Sequence, residues 1–125
     1  MIKTKNKTTR TSHRTGLIAE RIAVWFLRAK GYRILAQRYK TRYGEIDIVA
    51  RHKDTVVFIE VKTRKLKNDA LESVTHKMKT RIERAALLYI AQHEYAQDMG
   101  VRFDFIALSP PFFFRHLDNA WRPAT

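Results

Sequence analysis

The fold is decided by residues 45–62, which read EIDIVARHKDTVVFIEVK. The first half of this stretch alternates polar and apolar side chains, and the second half is rich in β-branched residues, so each half predicts a β-strand. The short polar turn at residues 52–54 predicts that the two strands pair in antiparallel fashion. Because successive side chains of a strand point to opposite faces, Asp47, Glu60 and Lys62 are expected outside the apolar faces of this pair.

Asp47 and Glu60 would meet across the strand pair, with Lys62 two residues further on. Two carboxylates held close together repel each other unless a cation lies between them, and a few hard oxygen ligands suit Mg²⁺ or Mn²⁺. The backbone carbonyl of Val61 would be a further ligand, and Lys62 would position an attacking water or neutralise a transition state. The alternative is an ordinary exposed strand face, where Glu and Lys are common.

Upstream, residues 16–30 predict a helix that ends at Gly31. Its apolar side chains recur at helical spacing: Leu17, Ile18, Ile22, Trp25, Phe26 and Ala29. Glu20 falls beside Ala23 and Leu27, and a carboxylate bordered by apolar residues needs a partner. Glu20 is therefore either a third acid of the metal site or a boundary glutamate paired with a lysine.

The remaining elements follow from similar patterns. A strand over Tyr32–Tyr39 precedes the pair, residues 63–74 form a polar loop, and a helix runs from Thr75 to Ala96. Val101–Leu108 predicts another strand, and the tail beyond Pro110-Pro111 adds a short edge strand. The predicted order of the main elements is α-β-β-β-α-β.

The composition indicates a polyanion as partner. The 125 residues include 25 Lys+Arg and 12 Asp+Glu, a formal net charge of +13, which favours binding to phosphates. Residues 1–14 carry five basic residues and no acid, so we expect a flexible basic arm before a single nuclease-like domain over residues 15–125. The lack of cysteine excludes disulfides and thiolate zinc sites and suits the cytoplasm. We expect neither a membrane span nor a secretory signal.

Five short segments in a fixed order carry a more specific signal. They are Gly16-x-x-x-Glu20, Gly31-Tyr32-x-Ile34-Leu35, Gly44-Glu45-Ile46-Asp47, Phe58-Ile59-Glu60-Val61-Lys62-x-Arg64 and Arg102-Phe103-Asp104. Over residues 16–108 the chain resembles the YraN-like family of small bacterial proteins, which is similar to the Holliday-junction-resolvase branch of the PD-(D/E)XK nuclease superfamily. Ile46 departs from the superfamily pattern, in which proline precedes the aspartate.

The resemblance implies an α/β, restriction-endonuclease-like fold with a central mixed β-sheet flanked by helices. It implies Asp47 and Glu60 as metal ligands, Lys62 as the catalytic lysine and Glu20 as an acid contributed by the helix. The implied activity is that of a Mg²⁺- or Mn²⁺-dependent endonuclease that hydrolyses DNA phosphodiesters, with branched or recombination intermediates among the substrates. Resolvase-like relatives act as twofold dimers, so the resemblance also suggests a homodimer.

Basic residues near the site are candidates for nucleic-acid contacts. Arg64, Lys65 and Lys67 follow the catalytic lysine, and Lys77 lies at the start of the second helix. A plain solvated face is the alternative for these side chains. A non-catalytic DNA- or RNA-binding module on the same fold explains the net charge equally well, and an RNA-side factor linked to ribosomes explains the charge alone.

Overall fold

The computed structural model describes residues 2–63, 74–109 and 113–123, and the side chains of residues 16–63, 74–109 and 114–123. Its elements in chain order are α1 (Ile2–Ala29), β1 (Arg33–Thr41), β2 (Gly44–His52), β3 (Thr55–Thr63), α2 (His76–Gln92), a short 3₁₀ helix (Glu94–Asp98), β4 (Gly100–Ser109) and β5 (Phe113–Trp121). The predicted strands are confirmed, and the edge strand in the tail, β5, is nine residues long rather than short.

The described strands form one mixed sheet in the order β1-β2-β3-β4-β5. The first three strands form an antiparallel meander, as the short turns between them predicted. Strand β4 pairs parallel to β3, since the chain crosses over through α2, and β5 returns antiparallel to β4. The fold is therefore α/β with a mixed sheet flanked by helices, as the resemblance implied.

The two helices cover opposite faces of the sheet. On one face α1 packs Ala23 and Leu27 against Ile48 and Ile59. On the other face the core side chains of α2, Ile82 among them, pack against strand residues such as Phe58. These buried clusters fix both helices on β2 and β3, and so they position the ends of the central strands.

Helix α1 differs from its prediction at its start and on its apolar side. It begins at Ile2, well before residue 16, and the expected arm over residues 1–14 stays a prediction because the side chains of residues 2–15 lie outside the described part. The large residues Ile18, Ile22, Trp25 and Phe26 are exposed. The buried side is made instead of Ala19, Ala23, Val24 and Leu27, so α1 packs on the sheet through two alanines and two aliphatic side chains.

The predicted helix ends fit the observed backbone in one case and not in the other. At the end of α1, Gly31 has φ +92°, and the Tyr32 N–H donates to the carbonyl oxygen of Leu27 at 2.9 Å, a Schellman cap. Helix α2 starts at a Thr75 cap but ends at Gln92 rather than Ala96, because His93 leaves the helical conformation. Within the described residues no helix has the length and apolar character needed to cross a bilayer.

Both edge strands of the sheet are irregular. Arg38 of β1 has φ +53°, and Asn119 of β5 has φ +50°. The β1–β2 register shifts between Ile34 and Ala36, and the β4–β5 register shifts between Phe103 and Phe105. Such irregularities bend a strand and redirect its side chains.

Candidate functional site

Asp47 and Glu60 occupy neighbouring positions on the two central strands. The last β2–β3 pair at this end is Ile48 with Ile59, so Asp47 and Glu60 are the next residues outward. The Oδ2 atom of Asp47 accepts a hydrogen bond from the Val61 N–H at 2.8 Å. The structure thus brings the two predicted acids together across the strand pair.

The side-chain alternation of β2 breaks at Asp47, which the sequence analysis did not foresee. Ile46 packs in the α2 cluster, whereas Ile48 and Ala50 pack in the α1 cluster. Regular alternation would have placed these three on one face, so that part of the prediction was wrong. Arg38, with its positive φ, lies opposite Asp47 on β1 at the same irregularity. The break turns Asp47 away from the face of Val49 and towards α1.

Three carboxylates converge at this point. One oxygen each from Glu20, Glu45 and Asp47 lies within 4.8 Å of the others, and all three residues are half-buried. Burial, together with the charge and a hydrogen bond of Asp47, raises the pKa of Glu20 to about 7. The prediction that Glu20 reaches the acid site from α1 agrees with this geometry. Glu45 was missed, although it stands two residues before Asp47 in the same strand.

Glu60 lies beside this group in a different environment. It is only 1% exposed, and it forms an ion pair with the guanidinium of Arg81 on α2. The Lys62 ammonium lies 3.9 Å from the same carboxylate oxygen. Burial and Asp47 raise the pKa of Glu60 to about 8, while Arg81 and Lys62 act in the opposite direction. The sequence analysis did not predict this pairing of Glu60 with Arg81.

Gly44 makes room for the arginine that holds Glu60. A Cβ added at Gly44 would lie 2.5 Å from Cδ and 2.7 Å from Cγ of Arg81. Gly44 also has φ +133°, a conformation that glycine adopts far more readily than other residues. The glycine before Glu45-Ile46-Asp47 is therefore needed for side-chain space as well as for the turn.

Comparison with known proteins shows to which family this chain belongs. A family model described as "Uncharacterised protein family UPF0102" matches residues 19–108, which contain all the acids above and Lys62. The chain belongs to this family. A UPF0102 protein of Rhodopseudomonas palustris (strain BisA53) is 46% identical over 90% of this chain and 86% of its own length. A UPF0102 protein of Nitrobacter winogradskyi is 46% identical over 88% of this chain and 93% of its own length.

One solved structure shows a distant similarity to this UPF0102 protein. Pyrococcus furiosus SfsA in complex with Ca²⁺ aligns with 88% of this chain and 63% of its own, at 12% identity and a TM-score of 0.28. A similarity of this size is too low to indicate a shared fold or function.

The carboxylate cluster of the UPF0102 protein fits a divalent metal ion. Glu20, Glu45 and Asp47 offer hard oxygen ligands. Their mutual repulsion, which adds to burial in raising the pKa of Glu20, would be relieved by a cation. Glu60 adjoins the cluster through Asp47 but already has Arg81 as a partner. The expected ligand set of Asp47, Glu60 and the Val61 carbonyl stays a prediction.

The remaining predicted site residues divide into two groups. Lys77 lies in an open cleft of ≈ 440 Å³ that Glu60, Lys62, Tyr43 and Arg81 also line. The predicted catalytic residues Glu60 and Lys62 on β3 therefore lie in the same cleft as Lys77 on α2, which was predicted to contact nucleic acid. Arg64, Lys65 and Lys67 lie outside the described residues.

Proposed function

We propose that this protein is a metal-dependent endonuclease that hydrolyses phosphodiester bonds in DNA. The observation that supports it most directly is the meeting of acids from three elements, Glu20 on α1, Asp47 on β2 and Glu60 on β3, with Lys62 at the same end of the sheet. Acids this close, two of them with raised pKa values, are typical of sites that bind a cation or exchange protons.

Each of these residues has a role in the proposal. Asp47, Glu20 and Glu60 hold Mg²⁺ or Mn²⁺, with Glu45 at hand as a further oxygen ligand. When bound, the ion orients a water molecule, lowers its pKa and stabilises charge on the phosphodiester. Lys62, whose side chain is 40% exposed, neutralises the negative charge that develops at the phosphate.

The charge distribution supports a nucleic acid as the partner, and DNA is the nucleic acid that the proposal names. The net charge of +13 favours binding to phosphates, and Lys77 and Arg81 line the same cleft as Glu60. Arg64, Lys65 and Lys67 are proposed to hold the DNA backbone next to the site. Branched or recombination intermediates are the proposed substrates, a twofold homodimer the proposed assembly, and the cytoplasm the proposed location.

A second function, a non-catalytic DNA- or RNA-binding module, is favoured by one observation. Arg81 pairs with the buried Glu60, so this side chain has a partner without a metal ion. A module of this kind binds nucleic acid through charge, and chelators leave that binding unchanged.

The experiment that separates the two functions is a cleavage panel with Mg²⁺ and Mn²⁺ over single-stranded, duplex, flap and four-way DNA. The wild type is expected to cut at least one substrate, and EDTA, Asp47→Asn and Lys62→Ala are expected to abolish cleavage while binding is retained. Asp54→Asn, in the exposed turn between β2 and β3, is the matched control and should cut normally. Equal cleavage by the wild type and Asp47→Asn would contradict the nuclease proposal. Metal-independent binding without cleavage of any substrate would favour the module.

A further inference from the structure

The cleft beside Glu60 continues along α2 as a longer groove. Three adjoining hollows of ≈ 440, ≈ 400 and ≈ 410 Å³ all include Tyr43 in their walls. The first reaches Glu60 and Lys62, the second shares Lys77 with the first, and the third shares Arg84 with the second. We call these three adjoining hollows together the Tyr43 groove.

The Tyr43 groove combines positive charge with one exposed aromatic ring. Apart from Glu60 at its end, the described residues that line it include no acid, whereas Lys62, Lys77 and Arg84 are basic. Tyr43 lies in the turn between β1 and β2 and is 37% exposed. Basic side chains along a channel with an aromatic ring are typical of surfaces that bind unpaired nucleotides.

Two arginine guanidinium groups lie near the partly exposed Tyr43 ring. The Cζ atom of Arg42 is 5.0 Å from the ring centroid, and that of Arg84 is 5.8 Å away. Arg42 also donates a hydrogen bond to the Tyr43 hydroxyl at 3.1 Å. These contacts orient the ring and put two positive charges next to it, and such charges attract the phosphates of a bound strand.

We propose that the Tyr43 groove binds one single strand of DNA, with an unpaired base stacked on Tyr43 and the phosphates next to Lys77 and Arg84. The groove leads the strand towards Glu60 and Lys62. A paired base in a duplex has its faces covered by its neighbours, so an exposed ring selects single-stranded or splayed DNA. The proposal rests on the proposed function for the choice of DNA, but it requires no cleavage.

The test is a binding measurement with the full-length chain in EDTA, so that no hydrolysis takes place. The probe is a single-stranded thymidine oligonucleotide with one 2-aminopurine, whose fluorescence falls when the base stacks on an aromatic ring. Tyr43→Ala should weaken binding by about 5- to 150-fold, the usual range for one base–aromatic stack, and should abolish the quenching. Tyr43→Phe, which keeps the ring, should retain both.

The matched control is Tyr95→Ala, which removes a similarly exposed tyrosine, 43% accessible against 37% for Tyr43, that does not line the groove. It should bind like the wild type. Lys77→Gln should lower the slope of log affinity against log salt by about 0.7, the value for one phosphate contact to a single strand.

Three results would overturn the proposal. These are binding by Tyr43→Ala within twofold of the wild type, an equal loss of affinity for blunt duplex DNA, and tighter binding of the matching RNA than of the DNA. A failure of the nuclease proposal gives a different pattern, since it leaves the wild type bound and quenched in EDTA but inactive in Mg²⁺ and Mn²⁺.

Discussion

Replacing Gly44 by alanine should destabilise the protein by forcing Arg81 away from Glu60. The new Cβ would lie 2.5 Å from Arg81 Cδ and 2.7 Å from Cγ, and both atoms are in the middle of the side chain, so Arg81 must withdraw. The backbone strain of a non-glycine residue at φ +133° adds about 1–3 kcal/mol. Loss of one partner from a fully buried ion pair costs about 3–5 kcal/mol, and this pair should cost less because the Arg81 side chain is 36% exposed.

The expected total is smaller than the sum of these two costs. Glu60 keeps Lys62 at 3.9 Å, and its raised pKa lets it take up a proton once Arg81 has left. We therefore expect a loss of about 3–5 kcal/mol in the free energy of unfolding, a large part of the roughly 5–15 kcal/mol available to a domain. At about 4 °C per kcal/mol, the melting temperature should fall by about 12–20 °C.

Urea unfolding followed by circular dichroism measures this loss, and Gly16→Ala is the matched control. Gly16 is exposed in α1, and a Cβ there meets no atom within 4 Å, so alanine should be neutral or stabilising by up to about 1 kcal/mol. In an Arg81→Ala background the clash is gone, and Gly44→Ala should cost only the backbone strain of about 1–3 kcal/mol. The reasoning is refuted if Gly44→Ala costs the same in both backgrounds.

Three further predictions concern pH, metal and packing. Asp104 is buried, which raises its pKa, but hydrogen bonds from His116, Arg102 and Asn119 outweigh burial and hold the pKa below its ordinary value. The stability that Asp104 contributes is therefore present above about pH 4 and is lost as the pH falls through the lowered pKa of the folded protein. In thermal melts from pH 6 to 3, the melting temperature should fall more steeply with acid for the wild type than for Asp104→Asn. The pKa of Glu20 is raised to about 7 in the folded protein, so its contribution to stability is full below its ordinary pKa and is lost as the pH rises towards 7. A bound Mg²⁺ or Mn²⁺ ion favours the ionised carboxylate, so it should raise the melting temperature more at pH 8 than at pH 5.5. This increase should be smaller in Glu20→Gln. Trp121→Ala, at a site 6% exposed, should cost about 3–5 kcal/mol in urea unfolding, while Trp25→Ala, at a site 72% exposed, should change stability by less than about 0.5 kcal/mol; similar losses in the two tryptophan variants would mean that β5 is not part of the core.

The strands of the candidate site could be predicted because their signals are local. The pattern around Asp47 and Glu60 depends on alternation and a short turn, and the β2–β3 register agrees with it. The position of Glu20 followed from its helical neighbours Ala23 and Leu27, both fully buried. In each case the residues that decide the geometry stand next to the functional residue in the sequence.

The missed features depend on contacts between distant segments. Arg81 reaches Glu60 across 21 positions of the chain, and nothing in its own neighbourhood distinguishes it from the other basic residues of α2. The break in the side-chain alternation of β2 at Asp47 lies opposite Arg38 of β1, which has a positive φ. A prediction that assumes regular alternation along each strand does not include such a break. The buried side of α1 was misjudged because large apolar residues were expected to face the sheet, whereas close approach favours alanine.

The irregular edge strands have a consequence for how this protein behaves at high concentration. An open sheet leaves unpaired N–H and C=O groups along its two outermost strands, which can recruit a strand from another molecule and start fibril growth. The left-handed residues Arg38 and Asn119 interrupt those two rows of groups near their middle or end. Neither edge offers a long, flat template, and so the fold resists intermolecular β-pairing.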